Sequence, residues 1–361
     1  MEKHIEDLIA KSPYNMISYA DFIAAALYHP EEGYYMNSRD KIGREGDFFT
    51  TSNISPIYGR LVAKWYESKY GNLGLPAAVC EIGGGNGRFA QAFLEGWHSC
   101  TSTPLSYHLV ETSPYHRQLQ AAALEGFEGV RFYSDIGELG GFEGLVFSNE
   151  LFDALPVHVI QKKQGKLYEM MVAVGEGGFF ETSIPLKNEA IGEYLRKHGI
   201  ELEEGQRLEI PLDMENIVRK LASTVSKGLV VTVDYGYTKE EWRQPARSEG
   251  SLRGYYRHQM KTKILERPGS MDITSHVHFD PLIEQGEEYG LRFISKARQD
   301  EFLIGIGILD ELAETCGTDP FSEKGKRNRA IKSLILPGGI SSSFHVLIQG
   351  KGEGVESEAL K

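Results

Sequence analysis

The stretch Glu81-Ile82-Gly83-Gly84-Gly85-Asn86-Gly87-Arg88-Phe89 holds the densest set of residues able to do chemistry in this chain. A short apolar run, Ala77 to Cys80, ends in the acid. Glycines follow at once, and then a helical apolar pattern at Phe89, Ala90, Ala92, Phe93 and Leu94. That order predicts strand, tight turn and helix, the opening unit of a nucleotide-binding α/β domain. Gly83, Gly85 and Gly87 let the backbone approach a ligand closely, because no Cβ stands in the way. Glu81 falls at the carboxyl end of the strand, where ligands bind in such sheets. A purely structural glycine turn is the competing reading.

Spacing then separates the cofactors. A dinucleotide fold wants G-x-G-x-x-G, with its pyrophosphate at the helix N-terminus. Here the third glycine comes one position early, and Arg88 stands where the dinucleotide glycine would be. An acid two residues before G-x-G-x-G resembles motif I of the S-adenosylmethionine (SAM) methyltransferases. SAM has no phosphate, and an acidic loop suits its ammonium and sulfonium charges. Leu105 to Glu111 predicts the next strand, ending in a second acid 24 residues after Gly87. A carboxylate there can accept both ribose hydroxyls; an ordinary strand-end charge is the alternative.

A third group, Ser148-Asn149-Glu150-Leu151-Phe152-Asp153-Ala154-Leu155-Pro156, ends the fourth core strand. Methyl transfer from SAM is an in-line displacement at carbon, so positioning the nucleophile supplies much of the rate. Glu150 could hold a guanidinium or amine and help remove its proton. Asp153 could do the same or cap a following helix. Farther on, Arg253, His258, His276 and His278 lie in a stretch rich in Arg, His and Tyr. His276-x-His278 invites a metal reading. No third ligand is placed by spacing, so no metal is expected there, and a substrate-binding or lid role is preferred.

The elements that must position these groups read as follows. Residues 1–72 form a helical cap. Residues 73–350 form an α/β domain: strand, helix, strand, helix (114–125), strand (130–133) and strand (144–148), an alternation that implies a parallel, doubly wound sheet. Period-2 apolar spacing around Gln164-Gly165 predicts a hairpin inside an insertion at about 160–212. The core resumes with a helix (214–226) and an apolar strand, Leu229 to Val233. Residues 237–278 read as a long loop, a length that marks functional segments. Helices follow at about 279–289, 299–315 and 323–335, then a last strand at 343–348. Residues 351–361 read as a flexible tail.

With 361 residues and 41% hydrophobic content, the chain is long enough for a sizeable core without staples. Its net charge of −12 argues against nucleic acid as the main partner. The apolar run Phe302 to Leu309 is too short to span a bilayer, so no membrane association is expected. Three scattered cysteines and an N-terminus without signal or transit features predict a reducing, cytoplasmic location. A homodimer is left open.

Taken together, these residues resemble the MidA-like family of SAM-dependent methyltransferases, whose mitochondrial members support assembly of respiratory complex I. The matching blocks are Gly46-Asp47-Phe48-Phe49-Thr50 with Ile54-Ser55, the Glu81 to Gly87 loop, Leu109 to Pro114, Asn149 to Val157, Asp234-Tyr235-Gly236-Tyr237, and Leu252-Arg253-Gly254-Tyr255 with His258, Pro268-Gly269 and Asp272-Ile273-Thr274-x-His276-Val277. They run in family order over about residues 15–280. Two blocks depart from the pattern. The family's Gly-Pro-Gly-Arg-Gly is Gly83-Gly84-Gly85-Asn86-Gly87 here, and its Asp-Pro after the loop histidine is replaced by Met260 to Ile264.

The resemblance implies a class I, Rossmann-like methyltransferase fold and a protein side chain, arginine favoured, as methyl acceptor. It assigns SAM to Glu81, Gly83, Gly85, Gly87, Glu111 and Asn149, with Asp135 toward the adenine and Thr50 also in the cofactor set. Glu150 would orient the acceptor nitrogen, with Asp153, Arg253, His258 and Asp47 around it. A non-catalytic assembly factor that keeps the fold, and a nicotinamide-dependent oxidoreductase, are the two other readings.

Overall fold

The computed structural model describes residues 1–38, 56–312, 322–336 and 343–355. Thr50 and Asp47 therefore lie outside the described residues. The chain divides into two units.

One unit takes residues 56–151, 219–235 and, of those described, 286–355. At its center, seven strands of an eight-stranded sheet run side by side: β1 (Ala78–Ile82), β2 (Ser106–Val110), β3 (Val130–Tyr133), β4 (Phe142–Asn149), β5 (Val225–Tyr237), β6 (Arg292–Arg298) and β7 (Phe344–Lys351). Their spatial order is β3-β2-β1-β4-β5-β7-β6. The first five are parallel to one another. β7 runs antiparallel to both β5 and β6. The doubly wound α/β sheet expected from the sequence is present. Its middle strands are near-continuous apolar runs, as strands buried on both faces must be: Leu145, Phe147, Leu229, Val231 and Val233 are all within 1% of full burial.

Helices α1 (Ile57–Tyr70), α2 (Arg88–Cys100) and α3 (Pro114–Ala123) cover the β1–β3 half. α3 starts where the sequence chemistry says it should. Ser113 Oγ accepts the His116 amide at 3.3 Å, and Pro114 fills the first turn, where no amide bond is lost. Aromatic side chains from α1, α2 and β4 fill the core beneath the glycine turn; the Phe89 and Phe147 rings stack at 4.2 Å and Tyr58 packs on both. The helix expected at 299–315 ends at Gly305, and the strand Arg292–Arg298 before it was not foreseen, because its exposed edge alternates weakly (Arg, Phe, Ile, Ser, Lys).

The other unit takes residues 1–38, 152–218 and 236–285. Its main sheet orders the strands Ile17–Ser18, Lys166–Gly175, His158–Lys163 and Arg207–Ile210, with Gly178–Pro185 paired to Lys166–Gly175. The hairpin at Gln164-Gly165 is present: both turn residues take positive φ, 52° and 71°, the two-residue turn that matches strand twist. Helix Tyr19–Tyr28 packs on this sheet from a full capping box, Ser18 with Asp21. The stretch 237–278 is not the long loop expected. It folds into a short helix, Lys239–Trp242, a three-stranded sheet of Arg253–Tyr256, Gln259–Lys261 and Asp272–Thr274, and the strand Val277–His278. Segments this short, rich in Arg, His and Tyr, carry too little apolar alternation to be read as strands.

Candidate functional site at the sheet edge

The carboxyl ends of β1, β2 and β4 meet at one edge. Ile82 pairs with Val110 on one side and with Ser148 on the other. β1 is therefore the point where strand order reverses, the place in an open α/β sheet where ligands bind. Past that edge the backbone turns sharply. Gly83, Gly85 and Gly87 have φ of 71°, 51° and 80°, conformations that side chains strain to adopt. A Cβ on Gly84 would sit 3.0 Å from the Glu81 carboxyl carbon, so the bare loop lies directly on that acid.

Glu81 is 4% exposed. Tyr107, on the neighbouring strand β2, donates its hydroxyl to Glu81 Oε2 at 2.7 Å. Burial raises the Glu81 pKa to about 7, with the charge of Glu111 adding to the rise and the Tyr107 hydrogen bond opposing it. Glu111 is also buried. The Ser113 amide donates to its Oε1 at 2.9 Å, and burial pushes its pKa up against the backbone hydrogen bonds that hold it. Arg117 donates to the Glu111 carbonyl at 2.6 Å, and Gln120 donates to Gly85 O at 3.0 Å, tying α3 to the second acid and to the turn.

Asn149 and Glu150 follow at the end of β4. Asn149 Nδ2 donates to Glu150 Oε1 at 2.8 Å, while Asn149 Oδ1 is buried with no partner among the described residues. Glu150 has φ of 54°, in the left-handed region a branched-out side chain avoids. Its amide donates to Val233 O at 2.9 Å, which pins the turn to β5. Asp135 lies just past β3. It caps the turn Ile136–Leu139, accepting the Gly137 amide at 2.7 Å, and it pairs with Lys220, whose hydrogen bond holds its carboxyl below the usual range.

Asp153, Arg253 and His258 belong to the other unit. Asp153 is 3% exposed, and its carbonyl accepts the Ser275 amide at 2.9 Å. Nearby, Tyr35 donates to Asp272 Oδ1 at 2.6 Å and stacks on Tyr28, which donates to Ala154 O at 2.8 Å. Arg253 turns back on its own chain, donating to Leu252 O at 2.7 Å. His258 sits in the turn at the far end of the strand Arg253–Tyr256 from Arg253, so the structure does not bring these two together. His278 is buried and His276 half-buried, each in its own surroundings. Tyr194 Oη lies 3.0 Å from His278 Nδ1, and burial lowers the two imidazole pKa values to about 4 and about 3. Among the described residues, no group of three or more His, Cys, Asp or Glu is arranged to hold a metal ion.

Three contributors were not foreseen. Tyr107 gives Glu81 its hydrogen bond; the signal was a tyrosine in an otherwise buried strand, whose hydroxyl must find a partner. Asn86 Oδ1 lies 3.3 Å from the Arg88 amide, so the residue that departs from the family loop gives the helix start an acceptor. Tyr58, fully buried on α1, has a hydroxyl with no partner among the described residues, and burial together with the charge of Glu150 pushes its pKa up.

A doubly wound sheet with a glycine turn over a buried acid, and further acids at the next strand ends, defines a class I methyltransferase fold. Residues 61–296 match the sequence profile of a family described as S-adenosyl-L-methionine-dependent methyltransferases. The protein arginine methyltransferase NDUFAF7 homolog, mitochondrial, of Drosophila melanogaster is 30% identical over 73% of this chain and 65% of its own length. The protein arginine methyltransferase NDUFAF7, mitochondrial, of Danio rerio is 27% identical over 95% of this chain and 85% of its own. A crystal structure from Burkholderia thailandensis, bound to S-adenosyl-homocysteine, superposes with a TM-score of 0.89 at 27% identity, covering 99% of this chain and 93% of that one.

The chain belongs to this SAM-dependent methyltransferase family, it is an enzyme of that class, and SAM is its cofactor. The nicotinamide reading falls with that result. The cytoplasmic expectation is also corrected: the curated relatives are named mitochondrial. A low cysteine count and a featureless N-terminus report on redox chemistry and on signals, and neither fixes a compartment.

The residues at the edge fit the cofactor. Glu81, a buried acid under a bare glycine turn, can ionize to meet a cation. Asn149 Oδ1 is a buried acceptor without a donor among the described residues, which suits a ligand that donates there.

Proposed function

We propose that this enzyme methylates an arginine side chain of a protein, with Glu150 as the group that holds the acceptor. The observation that carries the reading is the backbone of Glu150. A non-glycine residue kept in the left-handed region at the end of a central strand costs on the order of 1 kcal/mol, and such strain concentrates at functional sites. Asn149 donates to one oxygen of the Glu150 carboxylate and so orients it.

When bound, SAM supplies an electrophilic methyl carbon. Glu81, Gly83, Gly85, Gly87, Glu111 and Asn149 would hold the cofactor, and Asp135 would face its adenine end from the neighbouring strand. Thr50, in the cofactor set by family resemblance, stays there in this proposal. Glu150 would accept two N–H groups of the guanidinium, aim one nitrogen, and take up the proton that nitrogen releases as its new bond to carbon forms. Asp153, Arg253 and His258 keep the acceptor-side role only as the family resemblance implies it, since the structure sets Arg253 and His258 apart. The names of the curated relatives support arginine and a protein acceptor, and the net charge of −12 favours a protein over a nucleic acid. No membrane partner is proposed, and a homodimer stays compatible with the reading.

The test is Glu150→Gln, assayed by transfer of a radiolabelled methyl group to protein extracts and by SAM titration. Turnover should fall about a hundredfold or more, and SAM affinity should stay within about threefold. Loss of SAM binding in a folded variant would move Glu150 to the cofactor side and sink the assignment.

A further inference from the structure

The hairpin of Arg253–Tyr256 and Gln259–Lys261 and the segment that follows it enclose a cavity of about 360 Å³ that no part of the methyl-transfer site uses. Arg257, Lys261, Lys263 and Arg267 line it, with one carboxylate, Glu266, among them. Four cations in one cavity stand out in a chain whose net charge is −12. Tyr256 sits between two of them: the Arg257 and Arg267 guanidinium carbons lie 5.3 and 5.0 Å from its ring center. One ring thus holds both guanidiniums at the cavity.

Both arginines also have positive φ, 50° at Arg257 and 60° at Arg267. The value at Arg257 is that of a two-residue hairpin turn, as at Gln164, while Arg267 takes it outside any hairpin turn. Lys263 pairs with Glu266 at 3.5 Å, but both are more than half exposed, and such a pair contributes little and yields readily to a competing anion. Among the described residues, Gln259–Lys261 is moreover an edge strand, paired only to Arg253–Tyr256. Its outer side can take a further extended chain.

We propose that this cavity binds an acidic, extended peptide segment of the protein acceptor, laid along Gln259–Lys261 with its carboxylates on Lys261, Lys263, Arg257 and Arg267. The proposal rests on the reading of the acceptor as a protein. Lysine on an edge strand also serves simply to block unwanted pairing, and the experiment separates the two roles.

The full-length protein is titrated with fluorescein-labelled octaglutamate, followed by anisotropy, with octalysine as control and inorganic pyrophosphate and a short oligonucleotide as competitors. Saturable octaglutamate binding that weakens as salt rises to about 0.3 M is expected. Lys261→Glu with Lys263→Glu should weaken it about tenfold or more, and Arg267→Asn, which tolerates the left-handed backbone, about threefold. SAM affinity and melting temperature should not change in either variant. Absence of octaglutamate binding, binding unaffected by the double reversal, or preference for pyrophosphate or the oligonucleotide would each overturn the proposal. SAM titration of the same samples keeps the failures apart: missing peptide binding with intact SAM binding removes only this cavity. Missing SAM binding removes the methyltransferase reading and leaves the peptide result legible.

Discussion

Replacing Glu81 with glutamine keeps shape and hydrogen-bonding capacity but removes a buried titratable group. The folded-state pKa of about 7, against an ordinary 4.5, corresponds to about 3 kcal/mol between the two protonation states. The pKa is raised, so the fold prefers the protonated acid. That stabilization is complete below about pH 4.5 and is lost as pH rises through 7, where the folded protein carries a buried anion. Glu81→Gln should therefore match the wild type in stability near pH 5 and exceed it at pH 8, by up to about 3 kcal/mol. Cofactor binding runs the other way. SAM carries a sulfonium and an ammonium, and the ionized acid is the form that attracts them. Wild-type SAM affinity should rise about tenfold from pH 6 to pH 8, while the variant should bind weakly and show no such slope. Calorimetric titration across that range, with thermal melts on the same samples, reads both effects. A flat wild-type profile, or a variant destabilized equally at every pH, would refute the assignment of Glu81 as a buried acid that ionizes for a cation.

Two further outcomes follow from the same edge. Tyr107→Phe removes the hydroxyl that lowers the Glu81 pKa, so the midpoint of the pH-dependent SAM affinity should move upward; an unchanged midpoint would mean that the hydrogen bond does not tune the acid. Gly87→Ala adds a Cβ at φ of 80°, 3.1 Å from Gln120 Cα, and should cost about 1–2 kcal/mol of stability and weaken SAM binding, measured by denaturant unfolding and titration; a neutral result would show that the turn relaxes freely.

Most of the central sheet was legible from pattern. Strand ends at Glu81, Glu111 and Asn149 could be placed because parallel strands are apolar runs that stop at polar residues. Their meeting at one edge follows from strand order, since register links Ile82 to both Val110 and Ser148. The hairpin at Gln164-Gly165 was visible from the period-2 spacing on either side of it, and Gly165 suits the left-handed region. The turn Arg257-His258 has the same backbone but the wrong residue types for it. Turn chemistry signals only where sequence and conformation agree, and a strained turn hides itself.

The same logic explains what was missed around Arg253. Spacing along the sequence puts Arg253 and His258 close, and a loop would have allowed them to converge. An extended strand holds them apart, because each residue advances the chain by about 3.3 Å and successive side chains alternate faces. The unforeseen strand therefore redistributes the chemistry of this region. Arg253 is spent on its own backbone carbonyls, while the far end of the hairpin gathers Arg257, Lys261 and Arg267 around Tyr256. Where the family pattern is altered, at Met260 to Ile264, the residues present include Lys261 and Lys263, two of those cations. A departure from a family motif is thus a candidate for a change in what the enzyme grips.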